Sequence, residues 1–479
     1  MTSISYRDKL KFLEHNMIIT KEGMPFIRDY VSSLNTLIKE KLGGKELSRI
    51  QSLWLQFVIL GILVTNSFCW SKFERFSVDE YGKSALCWVF RKASIAWELL
   101  LQASILHILE AYGVKYGTLV IDDTDIERSK NVTQIAGAHK IKDKKTGGYF
   151  LGQNIVFVVL VSNEITIPVG FRFYIPAPAM NLWKKEEKRL IKKNVEKQYR
   201  PKKPEPNSNY PTKTQLAQSL IKEFAVNYPN IEIKSVVADA AYGTDGFMTI
   251  CSDSCKAAQV VSEIRSNQLV FFGNKYQKVS DLFANFAGKT ETILLRNSQK
   301  KITYRSAKLK VKAHGGKKRF VIALKYEGET DYRYLIATNM TWRDIDVIKS
   351  YAYRWLVEVF IQDWKSYEGW GNMAKQRGVI GADRGVLLSL LCDHVLHLHN
   401  TQLTSFKNKE PAITTGSLRE KVMCESLLSF IESIVSSDNP KTIFDTYSTQ
   451  LSELFGLKHS MKHLRDFTNI EENIMPQES

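Results

Sequence analysis

Residues 350–368 read SYAYRWLVEVFIQDWKSYE, and the run predicts a helix. At about 100° per residue, Tyr351, Arg354, Glu358, Gln362 and Lys365 fall within an arc of about 80°. Trp355, Leu356, Val357, Val359, Phe360, Ile361 and Trp364 fill most of the remaining circumference, interrupted by Asp363. A glutamate is rarely buried without a partner, because desolvating a carboxylate costs several kcal/mol. An Arg354–Glu358 pair at i,i+4 is worth only about 0.2–0.5 kcal/mol. It accounts for neither the apolar surroundings nor Lys365. A helix set into a core, with one carboxylate aimed at a polar cleft, accounts for all of these, and such a carboxylate is a site candidate.

Other acids stand where two apolar strands end. YGTLVIDDTD (116–125) closes on Asp122, Asp123 and Asp125, and IEIKSVVADAAYG (231–243) carries Asp239. Asp122 and Asp123 are adjacent and point to opposite faces of a strand, so only one of them can meet a helix-borne glutamate. Strand-end acids meeting such a glutamate form an oxygen cage suited to hard divalent ions. Two such ions about 3.5–4 Å apart suit phosphoryl transfer.

Further out, GQNIVFVVLVSN (152–163) and ITIPVGFRFYIP (165–176) read as two strands of an antiparallel hairpin. KTQLAQSLIKEFAVNY (213–228) reads as a helix, and 258–338 is rich in strand patterns. Residues 1–112 are helical in pattern, as is the chain after Thr341, with Thr341 or Asn339 available to cap a helix starting near Trp342.

The chain has 479 residues, 44% hydrophobic and 24% charged, which marks a globular protein rather than a disordered one. Lys and Arg exceed Asp and Glu by 67 to 50, a net charge of +17 that favours a polyanionic partner. Six scattered cysteines suit a reducing compartment, and none completes zinc-site spacing. MTSISYRDKLKFLEHNM, the first 17 residues, has no apolar core of a signal peptide. The apolar run Phe57–Val64 falls well short of the about 20 residues a membrane span needs, so LWLQFVILGILVTNSFCW (53–70) reads as a buried core helix.

The spacing of Tyr351, Arg354, Glu358 and Lys365 resembles the Y-(2)-R-(3)-E-(6)-K signature of DDE transposases of bacterial insertion sequences, the branch called insertion sequence family 4. The order Asp123, Asp239, Glu358 and the strand-rich stretch before the Glu resemble it too, over about 115–400. The resemblance implies an α/β fold: a ribonuclease-H-like catalytic core with a β-rich insertion, flanked by helical N- and C-terminal regions. It divides the chain into 1–112, a helical DNA-binding domain; 113–257 and 341–400, the two parts of the core; 258–340, the insertion; and 401–479, a helical region for dimerisation. It implies cut-and-paste transposition, with Asp123, Asp239 and Glu358 as catalytic metal ligands for two Mg²⁺ ions that Mn²⁺ can replace. Tyr351, Arg354 and Lys365 would contact DNA phosphates. The family's Thr after the first Asp favours Asp123 over Asp122, with Asp125 a rival on Asp123's face. The implied partners are double-stranded DNA, as terminal inverted repeats and target, and a second copy of the chain on DNA. The implied location is the bacterial cytoplasm at the nucleoid, with no membrane. Trp342 is the candidate aromatic for holding a flipped base.

A nuclease that cuts without joining, and an inactive relative that binds DNA, fit many of the same residues. The intact acids and signature count against the second. Two charge runs stand out. Residues 183–206 hold ten Lys or Arg against four Glu, and 289–319 hold eleven against one. Each reads either as a solvated surface or as a phosphate-contacting one. His394, His397 and His399 read as packed histidines rather than a metal set, and Trp54, Trp70, Trp88 and Trp97 as the core of the helical region.

Overall fold

A computed structural model describes residues 24–77, 81–128, 134–143, 145–253, 255–284, 286, 288–294, 301–312, 317–371 and 376–454. The N-terminal stretch 1–17 and the end of the C-terminal region, 455–479, lie outside these. Among the described residues the fold is mixed α/β, a central sheet with helices at both ends of the chain.

The long apolar runs become the central strands, because a strand buried on both faces needs no alternation. They are β1 (Tyr116–Glu127), β3 (Tyr149–Val161), β4 (Thr166–Tyr174), β5 (Glu232–Ala238) and β6 (Gln259–Ile264). Their order is β4-β3-β1-β5-β6. β3 runs antiparallel to β1 and β4, while β5 and β6 run parallel to β1. This is the order and direction set of the expected ribonuclease-H-like core. β2 (His139–Lys142), with no sequence signal of its own, pairs with the start of β3.

β6 also pairs antiparallel with β12 (Arg333–Ala337). Beyond β12 lie β11 (Lys318–Tyr326) and β10 (Lys301–Lys312), followed by β7 (Leu269–Phe272) and β8 (Lys275–Lys278), and β9 (Lys289–Leu294) pairs with β10. The β-rich stretch therefore continues the core sheet edge to edge. On β10 the expected alternation holds where side chains are described: Lys310 and Lys312 are exposed, Val311 is buried and Leu309 half-buried.

Helices Pro25–Glu40, Arg49–Thr65, Trp70–Phe76, Lys83–Lys92 and Trp97–Ala111 precede the sheet. The apolar run at 57–64 is buried core, and no single described helix is long and apolar enough to cross a membrane. Trp54, Trp70 and Trp97 pack together with Phe68 and Phe90. Trp88 departs from the expectation. It is 57% exposed on a helix that turns Leu86 and Phe90 inward.

The predicted helix at 350–368 is two helices, Asp344–Ala352 and Arg354–Tyr367. Around Tyr353 the bonds tighten to i→i+3, with Tyr353 N–H donating to Ser350 O and Leu356 N–H to Tyr353 O. That breaks the α ladder, so Tyr351 does not continue the stripe of Arg354, Glu358 and Lys365. Nor does Asn339 or Thr341 cap the first helix, whose N-cap is Arg343 without a side-chain bond. The Asn339 carboxamide oxygen instead accepts from the Thr341 amide and hydroxyl in a local turn. The second helix buries only Val357, Phe360 and Trp364, leaving Trp355 63% exposed.

Candidate active site

Cross-strand partners in an antiparallel ladder share a face, and this sorts the β1 acids. Asp122 lies opposite Phe157 of β3. The Phe157 ring packs edge-on against Phe360 and Trp364, at 5.5 and 4.9 Å. Asp122 therefore faces the helix Arg354–Tyr367. Thr124, two residues on, accepts from Lys365 Nζ at 2.6 Å, and Lys365 also donates to Asp125 O at 2.9 Å. Burial pushes the Lys365 ammonium below its usual value, with Asp125 pulling the other way.

A buried row of hydroxyls fixes this arrangement. Thr118 of β1 bonds Ser235 of β5 at 2.8 Å, and Ser235 bonds Ser350 at 2.7 Å. The row pins the helix Asp344–Ala352 across the two strands that carry the acids. Thr118 shares strand parity with Asp122, so Asp122 stands on the helix-covered face, and Asp239, directly after β5, lies close enough to raise it. At the far end Asn66 clamps the second helix, donating to Ser366 O at 2.7 Å and accepting from Gly369 N–H at 3.0 Å.

Arg354 stands between two carboxylates. It is 2.6 Å from Glu358 and 3.7 Å from Asp122. A cation in the first turn of a helix opposes the helix dipole, so these acids rather than the helix hold it there. Burial works against its charge, and Tyr351, Glu358 and Asp122 more than offset that. Asp122 is raised to about 6, by burial first and then by Asp239 and Asp123, against the Asp123 amide and Arg354. Negative charge thus accumulates at the strand ends beyond what Arg354 neutralises.

Asp123 lies on the opposite face, across from Val156, and is fully engaged. It accepts from Lys213 Nζ at 2.6 Å and from Asn154 Nδ2 at 2.8 Å, with the Tyr242 hydroxyl at 3.4 Å. Asp125, on the same face, shares Asn154 at 2.5 Å. Burial, then Asp123, Asp122 and Asp239, push the Tyr242 hydroxyl far up, so it stays a donor. Lys213 opens the helix Lys213–Asn227. Gly170 lets that helix settle on β4, since a Cβ there would meet Leu220 Cδ2 at 3.0 Å.

Of the other expected site residues, Asp239 ends β5 and accepts the Ala241 amide at 2.8 Å. Tyr351 is 3% exposed and donates to Glu263 Oε2 at 2.6 Å. Trp342 is half-buried and packs on the core. His394 is buried between Ser104 and Pro168 O, at 2.6 and 2.9 Å, a packed histidine as expected. Sequence reasoning passed over Asn154, Lys213, Tyr242 and Glu263. The one signal was Asn154, an amide inside an apolar strand.

Residues 80–279 match the family model described as DDE superfamily endonuclease. The match takes in β1 with Asp122 and Asp123, and β5 with Asp239, and ends before the Arg354–Glu358 helix. Among curated proteins none matches. A solved structure, the cryo-EM synaptic complex of piggyBac transposase with hairpin DNA, aligns at 12% identity with a TM-score of 0.43, covering 96% of this chain and 88% of that one.

Asp122, Asp239 and Glu358 offer the hard oxygen donors that a divalent ion takes. Among the described residues, no three His, Cys, Asp or Glu side chains are gathered closely enough to share one ion as they stand. The donor chemistry and the excess negative charge at Asp122 fit a cation, with the Arg354 guanidinium now lying between two of the three acids.

Proposed function

We propose that this chain is a DNA transposase that cuts phosphodiester bonds at the ends of a mobile element and joins them to target DNA, working at the bacterial nucleoid. The observation that carries the reading is Asp122, with Asp239 close enough to raise it, facing the helix that bears Arg354 and Glu358. The family match over 80–279 and the net charge of +17 support it. Asp122 takes the role of first acid on this geometry, and Asp123 that of a structural acid.

Bound divalent ions, Mg²⁺ or Mn²⁺, would be held by Asp122, Asp239 and Glu358, and would activate the attacking oxygen and stabilise the leaving one. Arg354 leaves its acids for a scissile-strand phosphate, where its planar fork binds bidentately. Lys365, held on Thr124, places a second positive charge along the same helix. Tyr351 holds Glu263 and so orients the helix junction. Cleavage adds a water oxygen to phosphorus and breaks the bond to the 3′-oxygen, which leaves as a 3′-hydroxyl; in joining, that hydroxyl attacks a target phosphodiester and displaces the target strand's own 3′-oxygen, which leaves as a hydroxyl. The exposed lysines of β10, Lys310 and Lys312, suit backbone contact.

The test is Mg²⁺-dependent nicking of a labelled duplex spanning the ends of the genomic segment that carries this reading frame. Wild type is run beside Asp239→Asn. Cutting by wild type alone supports the reading. Tight binding without cutting by either protein would replace it with a DNA-binding role, in which Arg354 fills the acid site permanently.

A further inference from the structure

The basic segment 183–206 is folded, and its charges are sorted. Pro178–Lys192 forms a helix with no buried residue, and the chain returns along it. Trp183 Nε1 donates to Pro201 O at 2.8 Å, and Arg200 donates to Val195 O at 2.8 Å. Three of the segment's four acids are spent within it. Glu186 takes Arg189 at 2.6 Å, Glu187 takes Arg200 at 3.1 Å, and Glu196 takes the Gln198 amide at 2.7 Å. Trp183, Glu186, Glu187 and Leu190 are half-buried along the inner side.

The outer side is different. Lys184, Lys185, Lys188 and Lys192 are all exposed and fall within an arc of about 100°. No described acid pairs with any of them. A merely solvated helix interleaves both signs on its outer face to gain i,i+4 pairs. This one keeps Glu186 and Glu187 off the lysine arc, each paired with an arginine, and leaves a single-sign row about 12 Å long, from the helical rise of 1.5 Å per residue. Both roots of the arm sit beside Asp123, on the sheet face opposite Asp122. Tyr174 ends β4 at one root, and Lys213 begins the next helix at the other. Lys213 Nζ lies 5.4 Å from the Tyr174 ring centroid and 2.6 Å from Asp123.

We propose that the lysine face of the helix Pro178–Lys192 is a docking surface for the phosphate backbone of the duplex DNA that the chain cuts. This rests on the transposase reading above. A row of flexible point charges with no planar forks suits sequence-independent phosphate contact rather than base reading. Each phosphate neutralised releases counterions, so the surface contributes to affinity through its salt dependence.

The test uses the full chain and a mixed-sequence 40-base-pair duplex. The four-fold variant Lys184→Gln, Lys185→Gln, Lys188→Gln and Lys192→Gln keeps good helix formers at exposed positions. Binding is measured across salt concentrations. The variant is expected to lose about 10–100-fold in affinity and to flatten the log–log salt slope by about 2 to 4. The matching four-fold Lys→Arg variant is expected to keep the wild-type slope. If the four-fold Gln variant aggregates, Lys184→Gln with Lys188→Gln reads the same slope at about half the change. An unchanged slope in a folded variant overturns the arm while leaving the transposase reading intact. Wild type that ignores duplex but binds double-stranded RNA or anionic vesicles through these lysines overturns both.

Discussion

The two faces of β1 at its acidic end hold adjacent carboxylates under contrasting conditions. On one face Asp122 looks toward Asp239 and a helix that presents Arg354 and Glu358, and its nearest cation is 3.7 Å away. On the other, Asp123 has Lys213 at 2.6 Å and the Asn154 amide at 2.8 Å. The first acid is burdened with neighbouring negative charge, its pKa raised to about 6; the second is satisfied by fixed donors. A satisfied carboxylate stabilises a fold, whereas one with unspent charge can take a metal or a proton. One step along a strand separates the two roles.

The comparison breaks most sharply under charge-neutral substitution. Asp122→Asn is expected to abolish metal-dependent cleavage, a loss of at least about 10³-fold or roughly 4 kcal/mol in the barrier. Asp123→Asn should keep cleavage within about tenfold while lowering the melting temperature. Cleavage assays on both proteins read this directly. The reverse pattern would move the first ligand to Asp123 and require the Lys213 pair to open on DNA binding. Glu358→Gln belongs with Asp122→Asn in the size of its effect.

Arg354 tests the link between the charged face and DNA. Arg354→Ala leaves Asp122 and Glu358 without their cation, so metal affinity is expected to rise. Cleavage of duplex should nonetheless fall by about 10–100-fold, because the bidentate phosphate contact is lost. Titration of Mn²⁺ by the protein alone, beside cleavage at saturating metal, separates these effects. Cleavage equal to wild type at saturation would confine Arg354 to holding the empty acids apart.

How much of this was legible in the sequence follows the range of the forces involved. The central strands, the β3–β4 hairpin and the buried helix at 49–65 could be read because apolar runs record burial directly. The choice between Asp122 and Asp123 could not, since alternation says that they part without saying which face the later helix covers. Phe157, some 35 residues away, decides it. The break at Tyr353 was hidden for a related reason. Helical periodicity is continuous through it, and the bonds that end the first helix depend on Ser350 being tied to Ser235. The pairing within the basic arm was equally out of reach, because Trp183 reaches Pro201, and Glu187 reaches Arg200, only once the chain has turned back.

A third pair of acids, far from both faces, extends the comparison to pH. Glu368, at the end of the Arg354–Tyr367 helix, is fully buried beside Asp393, and among the described residues no other group bonds its oxygens. Burial first, then Asp393, raise it well above the ordinary carboxylate range. Burial likewise raises Asp393, to about 7, with Asp363 adding to the shift. Charged or titratable neighbours are few: Asp363 on the same helix as Glu368, and Cys392 and His397 on the helix Gly378–His397, where His397 lies 3.8 Å from Asp393. Folding here favours the protonated acids. Their contribution is therefore fully present below about pH 4, the unfolded value, and is lost as the pH rises toward 7. Unfolding free energy should decline across that window by up to about 1.4 kcal/mol per pH unit for each proton released. Glu368→Gln removes one of the titrating groups, and denaturant melts at pH 5 and pH 7 should then differ less than in wild type. An equal decline in both proteins would mean that the pair is ionised and that a cation reaches it in solution.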